Sequence, residues 1–236
     1  MTLRMSYFVP PIPLVTAREE ALFDAVDLVE IRTTGSPAQL EGLLTGDLDV
    51  VVTAIDNLFE WTRTGADVRL VGQVEATTPL SIHARPDITD LVGLAGRRFA
   101  VDAFSNGFAL VARHALRTVA VDVEWVEVGG VSERLDALLS GDVAATLLGP
   151  PFDAKARAAG MSELLSIQEW FPTFPGQGLV VRSELIGDPE LGRLLAAMRE
   201  GGLLPVDAHG LDLLTGIRDD LGLLPAGPSL HALMHS

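Results

Sequence analysis

The stretch "LEGLLTGDLDVVVTAIDN" occupies Leu40–Asn57, and "LDALLSGDVAATLLGPPF" occupies Leu135–Phe152, 95 positions later. At that offset Leu40/Leu135, Leu43/Leu138, Leu44/Leu139, Gly46/Gly141 and Asp47/Asp142 are identical, and Thr45/Ser140 and Leu48/Val143 are close substitutions. In the first copy Leu40, Leu43 and Leu44 recur at helical spacing. Ser36-Pro37-Ala38-Gln39 reads as a helix start: Ser as N-cap, Pro at the first helical position, and Gln three residues on to close a capping box. Gly46 ends the helix in the left-handed conformation. Leu48 to Ala54 is then a β-branched apolar run of the kind buried on both faces of a sheet. With Leu28 to Arg32 alternating upstream, the unit is strand, helix, strand. The second copy repeats it: a strand at Trp125 to Val128, a turn at Gly129-Gly130, a helix ended by Gly141, and a strand at Val143 to Leu148.

A weaker echo precedes each copy. "MSYFVPPIPLVTAREEAL" (5–22) and "RRFAVDAFSNGFALVARHAL" (97–116) both run from a strand through a turn into a helix. Each half is therefore βαβαβ-like, with parallel strands and right-handed crossovers. In open parallel sheets, ligands lie beyond the carboxyl ends of the strands. The expected fold class is α/β: two similar α/β lobes with parallel-rich sheets and a ligand cleft between them, joined by two crossing segments. The Pro/Gly-rich stretches "TPLSIHARPDI" (78–88) and "FPTFPGQGLVVRSEL" (171–185) supply the crossings. Lobe one is expected at 1–83 and 177–236, and lobe two at 84–176.

At 236 residues, with 48% hydrophobic and 21% charged side chains, the chain is long enough to bury a sizeable core. The net charge of −15, with no cluster of Lys or Arg, argues against nucleic acid and against an anionic membrane surface. Cysteine is absent, which excludes disulfides, thiolate catalysis and Cys-ligated metals. No apolar run approaches the roughly 18 residues of a membrane span. The N-terminal stretch has no apolar h-region, cleavage site or lipobox Cys. The sequence as it stands therefore predicts a cytoplasmic protein, periplasmic or extracellular only if a leader has been removed. A monomer or homodimer is expected. The five His are scattered, and no Gly-x-Gly-x-x-Gly, Walker or Gly-x-Ser-x-Gly pattern occurs, so neither metal nor cofactor is expected.

Strand-to-helix turns carry the candidate ligand-binding residues. In lobe one these are Phe8, Pro10, Thr33, Thr34, Ser36, Thr53, Asp56 and Asn57, joined by Thr78. In lobe two they are Asp102, Ser105, Asn106, Gly130, Gly149 and Pro150, and the second crossing adds Phe174 and Gln177. Hydroxyls and amides dominate this set, and Arg32 is the nearest cation along the chain. Helices starting near Ser36, Asn106 and Val131 would point free N–H groups outward. The expected ligand is a small organic molecule, neutral or mono-anionic. If the protein is an enzyme, Asp56 and Asp102 are its candidate catalytic carboxylates.

The pieces "AREEALF" (17–23), "LLTGDLDVVVTAID" (43–56), "DLVGLAGRRFAVD" (90–102), "LLSGDVAATLLGPP" (138–151) and the Gly160 closing "AKARAAG" give a more specific likeness. In that order they resemble the type II periplasmic-binding-protein fold, in the branch of the nitrate/sulfonate/taurine and thiamine-precursor (NMT1/THI5-like) substrate-binding proteins of ABC transporters. The resemblance covers roughly residues 3–185. It implies a two-lobe binding protein, with an ABC permease as partner if the protein is exported. It also implies an alternative, since relatives on this fold include cytosolic enzymes: a metal-independent lyase, decarboxylase or isomerase acting on a small organic acid. One position departs from the family pattern. Where the second lobe commonly reads Gly-x-x-Asp-Ala, this chain has Gly141-Asp142-Val143-Ala144-Ala145.

Overall fold

A computed structural model of the chain describes residues 2–22, 26–33, 35–105 and 107–235. From the N-terminus the elements are β1 (Leu3–Tyr7), α1 (Ile12–Glu19), β2 (Leu28–Arg32), α2 (Ser36–Thr45), β3 (Val50–Ala54), α3 (Asn57–Arg63) and β4 (Val68–Gln73). There follow β5 (Ser81–Ala84), β6 (Arg98–Val101), α4 (Gly107–Thr118), β7 (Glu124–Glu127), α5 (Val131–Ser140), β8 (Ala145–Leu148), α6 (Phe152–Ala158), β9 (Ser162–Ser166) and α7 (Ile167–Trp170). The chain finishes with β10 (Gln177–Arg182), α8 (Pro189–Glu200), α9 (Ala208–Asp220) and α10 (Leu230–Leu233).

These elements form two compact units. The first comprises 1–76, 175–212 and 224–236, and the second 77–174 and 213–223, so α9 starts in one unit and ends in the other. Each unit holds a five-stranded sheet, ordered β2-β1-β3-β10-β4 in the first and β7-β6-β8-β5-β9 in the second. In each sheet the three strands from one βαβαβ run are parallel, and the strand next to them is antiparallel. The antiparallel strands β10 and β5 lie in the two crossing segments. Even their irregularity is shared: the register shifts at Leu179/Val180 against β4 and at Ile82/His83 against β9.

The repeated pattern explains this duplication residue by residue. Gly46 and Gly141 end α2 and α5 at φ 78° and 82°, a conformation in which a Cβ is disfavoured. After each glycine the chain turns back, with Leu48 N–H donating to Gly42 O and Val143 N–H to Ala137 O. β3 and β8 then enter the middle of their sheets, where their apolar residues are buried on both faces. The first unit's core gathers Leu3, Met5, Leu14, Val50, Val52, Leu179 and Val181 with Leu191, Leu194 and Met198 of α8. In the second, Ala100, Leu135, Leu138, Val143, Leu148 and Ala156 pack together, and Phe99 stacks at a tilt on Trp125.

Two helix starts test the reading of local signals. Asp188, followed by Pro189, caps α8, accepting from Glu190 N–H at 2.7 Å and Leu191 N–H at 3.3 Å. The capping box expected at Ser36 does not form. Gly35 is the N-cap of α2, Ser36 is already helical, and no side chain caps the turn. Gln39 faces inward instead, fully buried, with Nε2 donating to Val52 O at 3.0 Å and Ser6 O at 3.4 Å. It ties the helix to the strands beneath rather than closing its end. The C-terminal segment acts as a strap: Ser229 caps α10, Leu230 and Leu233 are buried, and Met234 bridges to Leu70 of β4.

Candidate ligand-binding turns

In the first unit the carboxyl ends of β1, β2 and β3 bring most of the expected residues to one edge. β1 and β2 are fixed to each other there by Thr33 N–H donating to Tyr7 O. The Thr33 hydroxyl donates to Gly35 O at 2.8 Å and accepts from Gly35 N–H at 3.1 Å, so it shapes its own turn. Phe8 stands 49% exposed beside the half-buried Pro10. At the end of β3, Thr53 and Asp56 are buried, and Asn57 Nδ2 donates to Thr53 Oγ1 at 2.9 Å. Asp56 is the N-cap residue of α3, but its side chain makes no cap bond. Gln177 starts β10 opposite Ala54, which places it at the same edge. Thr34, also expected here, lies outside the described residues.

In the second unit the ends of β6, β7 and β8 carry Asp102, Ser105, Gly130, Gly149 and Pro150. Gly130 is the N-cap of α5, preceded by Gly129 at φ 101°. Gly149 must be glycine for a steric reason: a Cβ there would lie 2.9 Å from the backbone oxygen of Pro79. Thr78 is buried, with its N–H donating to Phe174 O at 3.1 Å. Phe174 is itself 1% exposed, and its ring centroid lies 6.3 Å from that of Phe108. Asn106 lies outside the described residues. Phe104, by contrast, is 43% exposed at the end of β6.

Besides Arg32 of the first unit, the second unit supplies a cation of its own. Arg134, on the first turn of α5, reaches this edge: Nη1 donates to Gly129 O at 3.0 Å, Nη2 donates to Leu147 O at 3.4 Å, and Asp102 Oδ1 lies 3.9 Å from Nη1. Burial pushes the Arg134 pKa down, opposed by the charges of Asp102 and Glu133. The turn 102–105 has further anchors. Glu127 accepts from Phe104 N–H at 2.8 Å, Arg113 donates to Phe104 O at 3.0 Å, and Arg218 donates to Ser105 O at 3.4 Å. None of these four residues stood out in the sequence. For Arg134 a signal existed, because it is the repeat counterpart of Gln39. Asp56 and Asp102, the candidate catalytic pair, belong to different units, and Asp102 is engaged with Arg134. Among the described residues, no three His, Asp or Glu side chains gather as metal ligands would.

Solved structures with this architecture include bacterial solute-binding proteins. The aliphatic sulphonate-binding protein SsuA of Escherichia coli superposes with a TM-score of 0.81 at 17% identity, over 98% of this chain and 96% of that one. The alkanesulfonate-binding protein SsuA of Xanthomonas axonopodis pv. citri, bound to MOPS, gives 0.79 at 17%, over 99% and 98%. PhnD1 of Prochlorococcus marinus, in complex with methylphosphonate, gives 0.69 at 12%, over 94% and 98%. No curated protein matches the chain in sequence. The fold is thus that of the type II periplasmic binding proteins. Within it the chain belongs to the NMT1/THI5-like family, whose model matches residues 12–203.

Proposed function

We propose that the protein is a substrate-binding protein for a small organic ligand, neutral or carrying one anionic group, held by the turns at the carboxyl ends of its parallel strands. The observation that carries this reading is the gathering of polar side chains and helix starts at those ends. Thr53, Asp56 and Asn57 lie at the end of β3, and Asp102, Gly129 and Gly130 lie around Arg134 at the ends of β6 and β7. The structural neighbours named above bind sulphonates or a phosphonate, small molecules with one compact anionic group, which makes that ligand class the first to test. The natural partner of such a protein is the permease of an ABC importer, and a location outside the cytoplasm goes with that role. No described helix is long and apolar enough to cross a membrane itself.

The test has two parts. Native mass spectrometry of the protein as purified, followed by identification of anything released on denaturation, would recover a retained ligand. Calorimetric titration with ethanesulfonate, MOPS, methylphosphonate and a panel of small carboxylates covers the case of an empty protein. Saturable one-to-one binding with the ligand returned unchanged is expected. Turnover of the ligand would overturn the reading, and so would failure of every probe together with no retained molecule.

A further inference from the structure

We propose that Arg134 is a positioning residue that sets the turns after β6 and β7 for ligand binding, a role beyond its tie between α5 and β8. The two repeats contain the comparison that separates these roles. At the equivalent place in the first unit, Gln39 donates to Val52 O at 3.0 Å. Arg134 donates to Leu147 O at 3.4 Å, and Leu147 is the repeat counterpart of Val52. An amide is therefore enough to hold the helix to its central strand. A guanidinium that did only this would carry the desolvation cost of a buried charge with no return.

Gln39 also reaches the neighbouring strand β1, through Ser6 O at 3.4 Å. Arg134 goes further, to a charged side chain at the end of β6 and to the turn before α5. Its Nη1 donates to Gly129 O at 3.0 Å, where the chain takes a positive φ before α5, and lies 3.9 Å from Asp102 at the end of β6. One planar fork thus touches the ends of three adjacent strands, a geometry that Lys and Gln cannot reproduce. The turn it helps hold is the one that Glu127, Arg113 and Arg218 also grip through the backbone of Phe104 and Ser105. The matching turn of the first unit, Phe8 to Pro11, is stiffened by two prolines instead. Fixing these turns before the ligand arrives lowers the ordering cost of binding.

The proposal rests on the binding reading, so its test begins without any ligand. Hydrogen exchange of the free protein is compared between wild type and Arg134→Gln, which gives the second unit the first unit's own residue. The expected result is a thermal midpoint within about 4 °C of wild type. Exchange at 102–105 and 129–131 should rise about tenfold or more, while 35–40 stays unchanged. Arg134→Lys should behave like Arg134→Gln. Unchanged exchange at both turns, or full rescue by Lys, would overturn the proposal. Should Arg134→Gln fail to fold, Asp102→Asn decides: loosening at 102–105 alone supports it, and no loosening contradicts it. Titration with ethanesulfonate or methylphosphonate, whichever wild type takes up, should show affinity falling about tenfold in Arg134→Gln. If wild type takes up neither, that counts against the binding reading only, and the exchange data still decide the role of Arg134.

Discussion

Asp49 and Ala144 enter equivalent strands in the two units on nearly the same backbone. Asp49 N–H donates to Arg4 O at 2.9 Å, and Ala144 N–H to Arg98 O at 2.8 Å. Asp49 O accepts from Arg182 N–H at 3.3 Å, and Ala144 O from Arg85 N–H at 3.0 Å. The side chains could hardly differ more. The buried Asp49 carboxylate accepts from Arg4 N–H and Nε at 2.9 Å each, from Arg4 Nη2 at 3.0 Å, and from Arg182 Nη2 at 2.6 Å. Ala144 offers a methyl group, and the second unit's Arg98 turns outward to Asp142 O and Glu124. The helix–Gly–strand frame is thus independent of the ion cluster placed on it. What the cluster adds is stability in one unit, at the pole opposite the candidate binding turns.

Exchanging residues between the repeats is the direct way to break this comparison, and the largest effect is expected at Asp49. Asp49→Ala copies the second unit but leaves Arg4 and Arg182 without their shared partner. A loss of about 3 kcal/mol in denaturant unfolding at pH 7 is expected. Burial alone would raise the Asp49 pKa, but the hydrogen bonds from Arg4 and Arg182 outweigh it and the value is lowered. A depressed carboxylate contributes stability above its unfolded value, near 3.8, and that contribution is lost as pH falls through the folded one. Asp49→Ala should therefore lack this part of the acid transition.

A smaller, pH-dependent effect is expected at His83. It faces Thr146 across the sheet as Val180 faces Val51 in the first unit, so Val is the other repeat's choice. His83 is fully buried, and neither ring nitrogen has a hydrogen-bond partner among the described residues. Burial lowers its pKa, opposed by Glu163 of β9 and Asp153 of α6 and assisted by Arg157 of α6. A base with a depressed folded pKa loses stability as pH falls below its unfolded value of about 6.5, because the unfolded chain takes the proton first. Thermal melts from pH 7.5 downward should show this slope in wild type and lose it in His83→Val. A slope that survives the substitution would assign the acid sensitivity elsewhere.

The smallest effect sharpens the comparison at the helix starts. Ser36→Ala should change stability by less than about 0.5 kcal/mol, since the hydroxyl caps nothing. Asp188→Ala should cost about 1 kcal/mol, since that carboxylate does cap. Equal costs in denaturant titrations would show that Ser36 has a role outside its own turn.

The contrast between these two helix starts shows what was legible in the sequence. Asp188-Pro189 is a local signal on a surface turn, and nothing competes for the carboxylate. Ser36-Pro37-Ala38-Gln39 has the same local form, but Gln39 falls on the buried face of α2, where strand carbonyls need a donor. Tertiary demand wins there, and periodicity through Leu40 and Leu43 marks that face only after the fact. The frame was legible because glycines 46 and 141 and the apolar runs behind them are dictated by backbone and burial. The polar turns were legible by position, as with Thr53 near the end of β3 and Asn57 at the start of α3. The grip of Arg134, Arg113, Glu127 and Arg218 on 102–105 and 129–130 was not. Glu127, Arg218 and the approach of Arg134 to Asp102 join residues far apart in the chain. The nearer contacts of Arg113 and Arg134 go to backbone carbonyls, which leave no mark in the sequence. Carrying the repeat offset four residues upstream of Leu43 and Leu138 would have paired Arg134 with Gln39 and singled it out.

The central claim is that the repeat delivers ligand-binding turns to the carboxyl ends of its parallel strands. Amide chemical-shift mapping with a bound ligand, either one recovered from the purified protein or a sulfonate that binds, tests it most directly. The account predicts that shifts concentrate at 33–36, 53–57, 102–105, 129–131 and 149–152. Shifts confined to the opposite pole, around Asp49 and Ala144, would contradict it.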